Sequence, residues 1–217
     1  AVAKRSNEAY VTLAGSLPNI QTGVTRPVGP PPKNERLPMM EELEVIGRMI
    51  AMQKASGAVG RQVFFVRHDG YDTHGKQLEA HAQLLKELND AIKYFHDVLS
   101  AKNLLNNVTT FTASDFGRQL SNNGDGTDHG WGGHHFIMGG AVNGGQIYGR
   151  VPSYAVQNGA FADKNLVEAS GVMLPEVSVD QYAATLGTWM GLGTTDIKTV
   201  LPNLFGTTNL GFMKPAV

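Results

Sequence analysis

Apolar residues recur along this chain at two periods. Between Met39 and Gly57 they fall at Met39, Leu43, Ile46, Met49 and Ile50, spacings of three and four that predict an amphipathic helix closed by the glycine. A longer stretch of the same kind runs from about Gln77 to Ala101, with Leu78, Leu84 or Leu85, Leu88, Ile92, Phe95 and Leu99 on one side and Lys, Glu and Asp on the other. Two short runs are instead continuously apolar or β-branched, Gln62 to Val66 and Val108 to Thr112, and read as buried strands. With the long helix between them they form a βαβ unit, and such a crossover joins parallel strands.

Smaller signals fill in the rest. His135 to Met138 reads as a third short strand, and Asn143-Gly144 as a hairpin turn between Ala141-Val142 and Gln146-Ile147-Tyr148. Ser178 and Gln181 have the spacing of a capping box, opening a helix whose buried face carries Tyr182, Leu186, Trp189 and Met190. A last helix, Thr195 to Leu201, is stopped by Pro202. Residues 1–38 hold six of the ten prolines and read as an extended arm or linker, apart from a short helix around Glu8 to Ala14. The expected architecture is α/β, a mostly parallel sheet flanked by helices, spanning residues 39–217.

Composition narrows the function classes. With 41% hydrophobic residues, 17% charged residues and a net charge of −1, the chain has no basic excess of the kind that tracks nucleic acid, and nucleic acid is not an expected partner. No apolar run is long enough to span a membrane. There is no cysteine, which leaves Asp, Glu and His as the strong metal ligands.

Those residue types gather after the two strand-like runs. Beyond Val66 come Arg67, His68, Asp69, Asp72 and His74; beyond Thr112 come Asp115, Arg118, Asp125, Asp128, His129, His134 and His135. Ligands in open α/β sheets collect beyond the carboxyl ends of strands, so two such tips can converge on one ion. Asp72 and His74 are two apart and project to the same side of an extended loop, offering one face to a divalent cation. Asp115 and Asp128 are further carboxylate candidates, and His129, His134 and His135 are the candidates for the additional imidazole. Asp72 as a helix cap and His74 as a solvated loop residue is the competing reading of that pair. The guanidinium of Arg118 matches the oxygens of an anion, or else forms a surface ion pair. His81 and His96 lie on the predicted helix and read as solvated or half-buried side chains.

Four stretches carry a resemblance: Tyr-Asp-Thr-His-Gly (71–75), Phe-Thr-Ala-Ser-Asp-Phe-Gly-Arg (111–118), Asp-Gly-Thr-Asp-His-Gly-Trp-Gly-Gly-His-His (125–135) and Asp-Gln-Tyr-Ala-Ala-Thr-Leu (180–186). They are similar to a large bacterial family of unknown function, number 1501 in domain-of-unknown-function naming, over roughly residues 39–213. The resemblance implies an alkaline-phosphatase- and sulfatase-like fold, export to the periplasm or beyond, and a divalent metal ion such as zinc, manganese or calcium. It also implies a small anionic ester as substrate, with a non-catalytic metal-binding or structural role as the alternative. In that superfamily an Asp and a His at one strand end bind a first metal, the role it implies for Asp72 and His74. A later turn supplies an Asp and a His to a second metal; here Asp115 keeps the Asp, and Phe116 stands in place of the His. The superfamily's nucleophile precedes anything resembling residues 39–75. This chain therefore resembles the C-terminal portion of such a protein, and association with an N-terminal segment or a second copy is expected.

Overall fold

The computed structural model describes residue 15 and residues 21–27, 38–57, 60–167 and 171–215. The helix expected at Glu8 to Ala14 and the proline run from Val28 to Pro32 lie outside the described residues. The chain divides into two compact units, Ala1–Tyr71 with Ala80–Leu105, and Asp72–Glu79 with Asn106–Val217.

In the first unit, helix α1 (Met39–Ser56) and most of helix α2 (Gln77–Ala101) supply the core. Glu41 and Glu42 lie in the first turn of α1, where they favour the helix dipole. Gly57 closes the helix in the left-handed conformation, φ 68°, which a side chain would oppose. Leu43 and Ile46 from α1 are buried, as are Ala91, Tyr94, Phe95, Val98 and Leu99 from α2. A Cβ on Gly47 would approach Val98 to 3.0 Å, so the glycine lets the two helices close together. Residues 21–27 are held to α1 through Arg26, which pairs with Glu41 at 2.9 Å and Glu44 at 2.8 Å.

The expected parallel sheet is absent from the described residues. There are instead four two-stranded antiparallel pairs: β1 (Thr110–Phe111) with β4 (Ile137–Met138), β2 (Gly117–Asn122) with β3 (Thr127–Gly130), β5 (Val156–Gln157) with β6 (Ala160–Phe161), and β7 (Leu166–Val167) with β8 (Val172–Met173). The alkaline-phosphatase-like α/β fold is therefore corrected to helices with short two-stranded antiparallel sheets. Gln62 to Val66 is extended but belongs to no strand, and Val63 and Phe65 are 80% and 88% exposed. Of Val108 to Thr112 only Thr110 and Phe111 pair, with a partner running the other way, so no βαβ crossover forms.

The Asn143-Gly144 hairpin is also overturned. Val142 bridges Met213, the Asn143 N–H donates to the Phe212 carbonyl at 2.9 Å, and the Lys214 N–H donates to the Ala141 carbonyl at 2.8 Å. The partner of 141–143 is thus the chain's last stretch rather than residues 146–148. Phe212, 1% exposed, is the reason: its ring meets Tyr148 and Tyr182 at centroid distances of 5.9 Å and 5.7 Å.

Helices α3 (Val179–Trp189) and α4 (Thr194–Val200) complete the second unit. The capping box is present: the Gln181 N–H donates to Ser178 Oγ at 3.2 Å, and the Ser178 N–H donates to Gln181 Oε1 at 3.0 Å. Ala184, Thr185, Leu186 and Ile197 are buried beside this cap. Burial raises the Tyr182 phenol to about 12, and its hydroxyl donates to the Thr112 carbonyl. Among the described residues no helix is long and apolar enough to cross a membrane.

Phe212 is the side chain on which the second unit's packing turns. Truncation to Ala is expected to cost about 3–5 kcal/mol, as for other buried phenylalanines. Urea unfolding followed by circular dichroism measures it; a loss under about 1 kcal/mol would show the site collapsing around the deletion or lying outside the core.

Candidate metal centre

The site is built on one hairpin and one loop, both within the second unit. Strands β2 and β3 pair with Gly117 opposite Gly130 and Arg118 opposite His129, and the register shifts before Asn122 meets Thr127. Residues directly opposite in an antiparallel pair send their side chains to the same face. Arg118 and His129 accordingly emerge together, and both reach the loop at Asp72 and His74.

Their shared target is one oxygen. Asp72 Oδ1 lies 2.9 Å from His129 Nε2, 3.0 Å from His74 Nε2 and 2.7 Å from Arg118 Nη2. The two imidazole nitrogens are 3.2 Å apart. Asp72, His74 and His129 thus offer three ligand atoms in a near-equilateral triangle, all three residues being exposed. A zinc ion with bonds of about 2.0–2.1 Å needs neighbouring tetrahedral ligands roughly 3.3 Å apart, and octahedral neighbours lie slightly closer. Edges of 2.9 to 3.2 Å match one face of either figure. With 57%, 49% and 49% of the Asp72, His74 and His129 side chains exposed, a ligand from solvent can approach.

Electrostatics agree with this geometry. The Asp72 carboxyl is held below its ordinary value, chiefly by its hydrogen bond with His129, with Arg118 contributing and desolvation opposing. A carboxyl held low is ionised at neutral pH, the state in which it can accept a cation.

Around the triangle stands a set of supports. Asp128 Oδ1 lies 3.5 Å from the other ring nitrogen of His74, and Asn123 Nδ2 donates to the same oxygen at 2.8 Å. A carboxylate behind an imidazole can select its tautomer and limit its ring; Asp128, a candidate ligand by sequence, stands in that place behind His74 and outside the three-residue group. Arg118 Nη1 donates to the Thr127 carbonyl at 2.7 Å while Nη2 holds Asp72, and its side chain is only 15% exposed. Its fork is directed at Asp72 and the hairpin backbone.

The remaining candidates lie elsewhere. Asp115, on the loop between β1 and β2, and His134, on the loop between β3 and β4, are exposed and outside the three-residue group. His135 stacks on Tyr182 at 5.8 Å, and burial followed by the nearby His134 charge lowers its pKa. In the first unit, His68 bridges the Tyr71 hydroxyl at 3.1 Å and Glu87 at 3.3 Å. His81 Nε2 lies 3.4 Å from the Tyr71 carbonyl, and His96 Nδ1 lies 3.4 Å from Asp97.

Sequence reasoning missed Gly126 and Asn123 as parts of this centre. A Cβ on Gly126 would stand 2.4 Å from the His74 carbonyl carbon and 2.7 Å from Gly75 N, so only glycine lets the β2–β3 turn close on the loop. Next to it the Gln77 N–H donates to the Asp125 carbonyl at 3.0 Å. The Asn122-Asn123-Gly124-Asp125-Gly126 run carried the turn signal without revealing what the turn would touch. Gly126→Ala is expected to push the hairpin off the loop, costing about 1–3 kcal/mol of stability and separating His129 from Asp72. Thermal unfolding and the histidine resonances of the variant check this; unchanged His74 and His129 signals would refute the close approach.

Comparison with known proteins follows the same residues. No curated protein and no solved structure matches the chain. One family model does, described as a protein of unknown function (DUF1501), over residues 32–201. That span holds the whole hairpin, the Asp72 loop and helices α1 to α4. The chain belongs to the DUF1501 family.

Proposed function

We propose that Asp72, His74 and His129 hold a divalent cation and that the chain serves in metal-dependent hydrolysis of a phosphate or sulfate ester. The observation that carries the proposal is the triangle of three ligand atoms, two of them imidazole nitrogens 3.2 Å apart. Two ring nitrogens at that distance cannot both keep a proton pointed at the other, and a shared cation satisfies both lone pairs together with the carboxylate. Two imidazoles and one carboxylate favour zinc or manganese over calcium, which prefers an all-oxygen shell.

When bound, the cation supplies Lewis-acid charge that polarises an ester oxygen and favours ionisation of water. The residues around it divide the remaining tasks. Asp128 and Asn123 orient His74. Arg118 aligns the Asp72 carboxylate and adds a positive charge next to the open face, where an anionic ester would gather. The ester class and placement outside the cytoplasm, periplasmic or exported, rest on the motif resemblance of residues 71–75, 111–118 and 125–135.

A second reading is a protein that holds a metal without turning over substrate. It is favoured by the guanidinium of Arg118, whose two amino groups are engaged by Asp72 and Thr127 rather than turned outward.

Titration calorimetry of chelator-treated protein with zinc and with manganese is expected to find one ion per chain, with His134→Ala equal to the native chain. The Asp72→Ala, His74→Ala double variant should bind none, and Asp128→Asn should weaken binding about tenfold. Hydrolysis of nitrophenyl phosphate and nitrophenyl sulfate then separates the two readings. A metal-dependent rate lost in the double variant supports the hydrolase; metal binding without turnover supports the second reading; and unchanged metal content in the double variant sinks both.

A further inference from the structure

We propose that Phe116 is a positioning residue, its ring setting the orientation in which the His129 imidazole presents Nε2 to the ion. The inference rests on the reading of His129 as a metal ligand and adds a residue to that site. Phe116 immediately precedes β2, and on an extended strand residues 116 and 118 point to the same face. His129 stands opposite Arg118 on that face, which makes it a diagonal neighbour of Phe116 across the hairpin. The Phe116 ring lies on the His129 ring, with centroids 3.8 Å apart and planes inclined by 17°.

The same ring also contacts the guanidinium, with Arg118 Cζ 5.3 Å from its centroid. One aromatic surface thus braces two of the three groups that converge on Asp72 Oδ1. This matters because the second torsion of histidine is broad: the imidazole can swing through a wide range of angles unless something flat limits it. His74 is limited by Asp128 on its rear nitrogen. For His129 the flat neighbour is Phe116, and among the described residues its Nε2 is engaged while nothing hydrogen-bonds its Nδ1. Stacking does for one imidazole what a carboxylate does for the other.

A planar ring is required for this, so apolar bulk alone is not enough. The test compares Phe116→Leu, which removes the ring, with Phe116→Tyr and Phe116→Trp, which keep one; Phe116→Met repeats the ringless case should the leucine variant not fold. Zinc affinity by calorimetry is expected to fall about tenfold in the ringless variants and to stay at the native level in Phe116→Tyr and Phe116→Trp. The second readout needs no metal. In proton NMR of chelator-treated protein, the His129 ring protons should be displaced upfield by the phenyl ring current, and the displacement should vanish in Phe116→Leu.

Native protein that binds no zinc overturns the metal reading, while the ring-current shift still decides whether the rings stack. Native zinc affinity in Phe116→Leu, or the absence of a ring-current shift, overturns the positioning role while leaving the metal site standing. An equal loss of affinity in the ringless and ring-keeping variants overturns it too, because it would show sensitivity to any change at the position.

Discussion

One carboxylate oxygen organises the centre. Asp72 Oδ1 accepts from a guanidinium and faces two imidazole nitrogens, all within 3.0 Å. An ionised carboxylate is acceptor-only, and its lone pairs draw in donors and cations of several kinds. Arg118 and His129 come from adjoining strands and His74 from the same loop as Asp72, so this oxygen joins the loop to the hairpin. The Asp72 and imidazole side chains are about half exposed, and an exposed ion pair contributes little by itself. The convergence is held by backbone geometry, with the charges setting protonation and orientation.

That geometry depends on close approaches that side chains would prevent. At Gly117 a Cβ would fall 1.8 Å from the Gly132 carbonyl, and at Gly126 it would strike the backbone of His74. Leu120 N–H and Gly132 N–H donate to the Gly171 and Met173 carbonyls, at 3.3 Å and 2.8 Å, so β8 runs along the hairpin and stiffens it. The site needs such support because ligand placement within a few tenths of an ångström separates a metal-binding triangle from three unrelated polar groups.

The helices and the cap were legible because their causes are local. The three-four spacing of Leu43, Ile46 and Ile50, the left-handed Gly57 and the Ser178–Gln181 box each depend on residues within a turn or two. Helix α4 was displaced by a single residue at each end. Strand pairing was not legible, because an apolar run declares a need for cover without naming what provides it. Val63 and Phe65 look like core strand in the sequence, yet they remain exposed. Ala141–Asn143 pairs with a stretch some seventy residues on because Phe212 finds its aromatic neighbours there. Leu78 shows the same limit within a helix: it continues the predicted stripe but is 91% exposed, where no partner meets it.

The expectation that Asp72 and His74 meet an imidazole from His129 or His134 came from an argument about parallel strand tips that the fold overturns. The cluster that forms has a physical basis that does not require the large sheet. Asp72 and His74 need only an extended loop to face one way, and His129 needs only a rung opposite Arg118. What remains is a single approach between loop and hairpin, and Gly126 permits it. The same reasoning explains why Asp115 and His134, also candidates, lie outside the group: each belongs to a connecting loop, where no rung fixes its direction. His129 sits on a strand and they do not. Nothing in residue type separates His129 from His134; the hairpin register does, and only a pairing inferred before the site was chosen would have ranked His129 ahead of His134.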